Sequence, residues 1–204
     1  RDVLGSRGLG DVYKRQDKDG DGMLTEEELS SLTTLSNRND NVYSMFKDNT
    51  VIETFNEFQY FTGLEFINSS SFEGCSSLKE ITLPVLTKMG NGVFAGSGIE
   101  KLIIPEGYQN IGPLVLQRCY NLRLVDFPST VTSISEGGSL FWAMKNQVTV
   151  ICRAFTPPTF GTWGYDGDPK VIYVPDVSVD AYKLAAGWSL QATKIYPLST
   201  YMEL

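Results

Sequence analysis

The chain has 204 residues, 42% hydrophobic and 20% charged, enough apolar material for a buried core and unlike a disordered tail. Its 17 basic and 24 acidic residues leave a net charge of −7, with six acids between Asp17 and Glu28, which argues against a nucleic-acid partner that would need clustered Lys and Arg. Histidine is absent, which removes the commonest general base and metal ligand, and no apolar run approaches the ~20 residues of a membrane span.

Residues 1–16 (RDVLGSRGLGDVYKRQ) begin with Arg rather than Met and carry neither the apolar stretch nor the cleavage site of a signal peptide. They read as a non-native or fragmentary leader; the alternative is an incoming helix with Leu9, Val12 and Tyr13 on one face. From Asp17 the sequence DKDGDGMLTEEE fills the diagnostic places of an EF-hand loop, with Asp17, Asp19, Asp21, Gly22 and Glu28 at positions 1, 3, 5, 6 and 12. That spacing suits calcium, because three short carboxylates converge from alternate places, Gly22 permits the sharp turn and Met23 offers its carbonyl oxygen. Thr25 acts through water, and Glu28 closes the shell with two oxygens. Thr25 and Glu28 also form a capping box for an outgoing helix, on which Leu29, Leu32 and Leu35 make an apolar face. No second such loop follows, so the expected role is a single structural Ca2+ ordering an N-terminal region over 17–54.

The next stretch, 55–147, is repetitive. SSLKEITLP, SGIEKLIIP and YNLRLVDFP end at Pro84, Pro105 and Pro128, spaced by 21 and then 23 residues. A second series precedes each phrase and pairs an apolar residue with a later aromatic or Leu: Ile67 with Phe72, Met89 with Phe94, Ile111 with Leu116, then Ile134 with Phe141 after a two-residue slip. Each unit predicts a short strand ended by proline, and a unit this small buries its apolar face only by stacking on its neighbours. Cys75 and Cys119 hold one place and Ser97 holds it in the unit between, so two ~4.8 Å steps keep the thiols beyond the ~7 Å reach of a disulfide.

Residues 148–204 read as a C-terminal capping repeat. It has strands over Val148–Ile151 and Lys170–Val174, a Pro- and Gly-rich loop between them, and a helix capped by Ser178 with Val179, Tyr182 and Ala186 on one face. Phe160, Trp163 and Tyr165 in the loop either form a binding platform or fold inward over the core, and the inward reading is favoured; Asp166 and Asp168 read as a turn.

The units from Phe72, with the closing KVIYVPDVSVDAYKLAAGW, resemble the BspA-type leucine-rich repeat family of bacterial surface proteins over roughly residues 55–198. The predicted fold class is therefore an α+β repeat: a leucine-rich-repeat solenoid of short stacked strands, a small N-terminal calcium-loop helix region and a C-terminal strand/helix cap. The resemblance implies a cell-surface or secreted location and a non-catalytic interaction or adhesion role toward an extracellular protein or glycan. A stalk domain of a larger surface protein, or a two-carboxylate glycosidase, are the alternatives. Outward strand residues comprise Lys79, Glu80, Thr82, Glu100, Lys101, Ile103, Arg123, Leu124 and Asp126. The ligand contacts expected from sequence are Lys79, Lys101, Arg123, Trp163 and Tyr165.

Overall fold

The computed structural model describes residues 25–31, 46–144 and 148–202. The chain winds in coils, each contributing a short strand to one parallel sheet and most a second strand to another. The first sheet takes β1 (Thr54–Phe55), β2 (Glu80–Ile81), β4 (Lys101–Ile103), β6 (Leu124–Phe127), β8 (Thr149–Cys152), β10 (Val171–Val174) and β11 (Ile195–Pro197). Strands β4 to β11 pair in succession, and the β1–β2 pair joins them where Glu100 N–H donates to the Lys79 carbonyl at 3.1 Å. The second sheet takes β3 (Lys88–Met89), β5 (Asn110–Ile111), β7 (Ser133–Ser139) and β9 (Thr159–Thr162), with Ile67 bridging to Met89.

Stacking in register lines up buried side chains as columns between the sheets. Phe55, Ile81, Leu102, Val125, Val150, Ile172 and Ile195 face inward from the first sheet, and Ile67, Met89, Ile111 and Ile134 from the second. A third column, Phe46, Phe72, Phe94, Leu116 and Phe141, fills the bend between them. Its rings lie nearly parallel, Phe46 to Phe72 at 5.1 Å and Phe72 to Phe94 at 5.4 Å. These separations are close to one strand step, so the backbone ladder itself sets the ring stacking.

The strand phrases ending in proline are where the sequence placed them, with Leu78, Leu83, Ile99, Ile104, Leu122 and Phe127 buried. The apolar–aromatic series proves to mark a second sheet, and two boundaries move. The repeat reaches back from 55 at least to Phe46, because Phe46–Asn49–Ile52–Phe55 has the spacing of Phe72–Cys75–Leu78–Ile81. Nothing changes in character at 148, since β8, β10 and β11 extend the same sheet. The loop of prolines and glycines holds β9, which pairs with β7, and Phe160 lies beside Ile134 in that ladder. The insertion at Gly137 and Gly138 is absorbed as a register shift within β7.

Beyond β10 the chain forms α2 (Val179–Leu184) and a 3-10 segment, Trp188–Lys194, which packs Trp188 against Phe160 at 4.8 Å and Tyr182 at 4.9 Å. Ser178 does not cap α2 as expected, because its hydroxyl donates instead to the Phe155 carbonyl at 2.7 Å. Tyr182 is buried as predicted, whereas Ala186 is exposed and leaves that face.

Candidate functional site

Register fixes which side chains the first sheet turns outward. One row runs Glu53, Lys79, Glu100, Arg123; a second runs Thr54, Glu80, Lys101, Leu124, Thr149; a third runs Thr82, Ile103, Asp126, Ile151, Tyr173, Tyr196. The first row alternates in sign at every coil, and Lys79 Nζ lies 3.6 Å from Glu53 Oε2. Two of the cations expected to meet a ligand, Lys79 and Arg123, thus sit beside carboxylates of neighbouring coils. Lys79 is an exposed ion-pair partner of modest energetic value, as surface pairs are. Lys101 is exposed in the second row, with Ile103 (44% exposed) beside it in the third. Lys79, Lys101 and Ile103 line a shallow open groove over β1, β2 and β4.

Over β6 and β8 the third row of the outer face is covered. Asp126, expected to point into solvent, is 6% exposed, and its two carboxylate oxygens accept from Arg153 Nε at 2.9 Å and Nη2 at 2.7 Å. That two-pronged bond holds the Arg153 guanidinium above its ordinary pKa. Ile151 is buried in the same row, and Tyr201 brings its ring to 5.1 Å from Tyr173. The groove over β1, β2 and β4 is therefore followed by a covered stretch at Asp126 and Ile151, and the row opens again at Tyr196 on β11, 48% exposed.

The aromatic loop divides in two. Trp163 is 3% exposed, stacks on Phe141, packs at a tilt against Phe160, and donates its indole N–H to the Gly187 carbonyl at 3.0 Å. It is a core residue, which removes it from the expected ligand contacts: by register it is the equivalent of Leu140, and its ring covers Phe141 at the end of the phenylalanine column. Tyr165 is 70% exposed, and its ring lies 6.4 Å from that of Trp142, itself 43% exposed. Sequence reading passed over Trp142, because only the inter-coil hydrogen bonds reveal that it and Tyr165 hold equivalent places. Asp168 accepts from Gln191 Nε2 at 2.8 Å and faces Lys194, and Asp166 sits in a left-handed turn, so these acids are engaged in local structure.

Of the calcium-loop residues, Asp17, Asp19, Asp21 and Met23 lie outside the described residues, as do Gly22, Leu32 and Leu35. Thr25 and Glu28 are described and make the expected capping box at the start of α1 (Glu26–Ser30). Glu28 N–H donates to Thr25 Oγ1 at 3.2 Å, while Glu28 Oε2 accepts from Thr25 N–H at 2.9 Å and from its hydroxyl at 3.0 Å. Glu28 is buried, and Leu29 beside it joins the apolar core. Among the described residues no three His, Cys, Asp or Glu side chains converge as a metal cluster.

All three cysteines are free and buried. Cys75 Sγ and Cys119 Sγ each donate to the carbonyl of the aromatic residue one coil earlier, Phe46 and Phe94, at 3.0 Å. Burial pushes the Cys75 and Cys119 thiols up to about 12 and that of Cys152 to about 11, so all three are packing groups rather than nucleophiles.

The family described as BspA type Leucine rich repeat region matches residues 42–151 in six copies. No curated protein matches the chain. Among solved structures the chain is similar to a leucine-rich repeat protein from Bacteroides ovatus ATCC 8483, crystallised at 1.19 Å resolution, at 23% identity and a TM-score of 0.40. The likeness covers 66% of this chain and 36% of that one, so this chain matches about a third of that protein's length.

Proposed function

The chain belongs to the BspA-type leucine-rich repeat family, and from that premise we propose that it is a non-catalytic interaction module of a cell-surface or secreted protein. Its ligand is an extracellular protein or glycan, received on the outer face of the first sheet. The observation that carries this reading is the contrast along that face: the groove over β1, β2 and β4 is open and mixes Lys79 and Lys101 with exposed Ile103, whereas at Asp126 and Ile151 the same row is covered by the Arg153 ion pair and by burial. An extended strand face of this kind is the surface that solenoids usually give to partners. The test is binding of the labelled chain to arrays of extracellular-matrix proteins and glycans, alongside Lys101→Glu/Ile103→Asp. The expected result is a ligand signal in the parent and its loss in a variant that melts normally; equal signals from both would move the ligand off this face.

The same reading includes one structural Ca2+ held by Asp17, Asp19, Asp21, the Met23 carbonyl, a water on Thr25, and Glu28. In its support, the capping box fixes Thr25 and Glu28 at the start of α1, and the buried Glu28 ties that turn to the core through Leu29. Glu28→Gln separates the two roles, because glutamine still accepts the cap hydrogen bonds but lacks the charged, two-oxygen grip. Calcium should raise the melting temperature of the parent and leave Glu28→Gln unmoved, with the two melting alike in chelator. An equal calcium response in both proteins would remove Glu28 from the site.

A further inference from the structure

A second exposed surface lies at the bend between the sheets, one residue beyond the stacked Phe column. There the N–H of Asp48, Gly74, Gly96, Arg118 and Ala143 donates to the carbonyl of Glu73, Ala95, Gln117, Trp142 and Tyr165 in the next coil, at 2.7 to 3.0 Å. Each donor residue has positive φ, as does Asp166 in the last coil. Repetition of the turn places Gln117, Trp142 and Tyr165 one coil apart on the outside. At the N-terminal end the same column holds the ion pair of Lys47 and Glu73, at 3.1 Å. Its chemistry thus changes along the stack, from charged to aromatic.

We propose that Trp142 and Tyr165 form a stacking site for a neutral, soluble glycan chain, separate from the groove on the first sheet. Three observations select this ligand. The first is size: with ~150–250 Å² for a whole aromatic side chain, exposures of 43% and 70% leave roughly 200 Å² open. A stable protein interface buries ~800 Å² on each partner, so the pair is too small to anchor a protein by itself but matches one or two pyranose rings. The negative face of an aromatic ring attracts the C–H face of a sugar as it does other positive edges.

The second observation is the angle between the rings, 43° at 6.4 Å. Tilted rings do not offer the plane that a crystalline polysaccharide surface needs, but they suit successive sugars turned relative to one another in a free chain. The third is charge. Exposed Asp166 beside Tyr165 is balanced by exposed Arg118, whose N–H bonds the Trp142 carbonyl, and the protein carries −7 overall, so nothing at the pair selects an acidic polymer. The site is also preorganised: both rings hang from carbonyl-bonded backbone at left-handed turns, so little ordering remains to be done on binding.

Of the three tryptophans, Trp163 and Trp188 are buried, so iodide quenching in the intact protein reports on Trp142. With cellohexaose and xylohexaose as probes, saturating sugar should protect Trp142 from iodide by about threefold, and calorimetry should register binding. Trp142→Ala and Tyr165→Ala should each weaken that binding by about tenfold without changing the melting temperature, while Trp142→Phe keeps most of it. The proposal is overturned if neither hexamer protects Trp142 at millimolar concentration, or if binding survives both alanine variants. Protection only by oligogalacturonate would also overturn it, as would protection that grows with protein concentration without sugar, which would give the rings to a second copy.

Discussion

Tyr108 lies wholly inside the core, between Leu86 and Val131 of the adjacent coils, and its hydroxyl has no hydrogen-bond partner among the described residues. Tyr182 is equally buried, but its hydroxyl donates to the Ala154 carbonyl at 2.7 Å and its oxygen lies 3.2 Å from Cys152 Sγ. Removing one oxygen from each therefore has opposite consequences. A buried polar group without a partner costs ~1–3 kcal/mol, so Tyr108→Phe should stabilise the protein by about 1–2 kcal/mol, while Tyr182→Phe loses a made bond and destabilises by a similar amount. At ~2–4 °C per kcal/mol for a chain of this size, the melting temperatures should move up and down by about 3–6 °C. Thermal and urea unfolding followed by circular dichroism measure both, and the phenylalanine ring keeps the packing of the original. A Tyr108→Phe protein that melts lower than the parent would refute the assignment, showing that the phenol is hydrogen-bonded in solution.

The glycine ladder makes a second contrast. Gly112 has the Gly90 carbonyl oxygen 2.5 Å from where a Cβ would stand, while Gly96 has φ +68° and open space to 3.9 Å. Gly112→Ala should cost about 3 kcal/mol by overpacking against backbone and Gly96→Ala only about 1 kcal/mol in left-handed strain, both read from urea midpoints. Arg153→Ala strands the buried Asp126 carboxylate and should cost about 2 kcal/mol, less than a fully buried pair because Arg153 is half exposed. The raised thiol pKa values make stability fall in alkali. Unfolded thiols ionise from ~8.5 upward while the buried ones stay protonated, so the stabilisation is intact below that value and is lost as pH climbs toward 11–12. Cys119→Ala should flatten this decline, and a thiol reagent should label the native protein only after unfolding.

The strand phrases were legible because proline punctuates them and the inward positions are apolar in every coil. The second sheet was not, because β3 and β5 are two residues long and bury one side chain each, too little for a period of two to show. Phe46 escaped because Asn49 stands where Cys75 and Cys119 stand in later coils. Its side chain accepts from Val51 and Ile52 N–H, performing the turn by another chemistry. Strand β9 was hidden by neighbouring prolines, although Thr159 to Thr162 pair with β7 across its register shift. At the surface, outward position alone did not separate Ile103, which is open, from Asp126, whose partner Arg153 lies 27 residues away in sequence.

The repeat also limits where the surface chemistry of this protein can vary. An inward position is fixed by the side chains one step before and after it, as the nearly parallel rings of Phe46, Phe72 and Phe94 illustrate. The turn after each member of that column is held by the inter-coil ladder, where Asp48, Arg118, Ala143 and Asp166 accept positive φ that glycine would adopt without strain. Among the described residues, the exposed members of the outer strand rows and the column through Gln117, Trp142 and Tyr165 can change chemistry with the least disturbance to a neighbour. Arg118 tests this separation: Arg118→Gly should stabilise the fold by about 1 kcal/mol through relief of left-handed strain. It should leave the iodide accessibility of Trp142 unchanged, because the turn N–H still donates to the Trp142 carbonyl. A change in Trp142 exposure without a gain in stability would show that the column and the ladder are coupled, so that surface chemistry and coil geometry cannot vary independently.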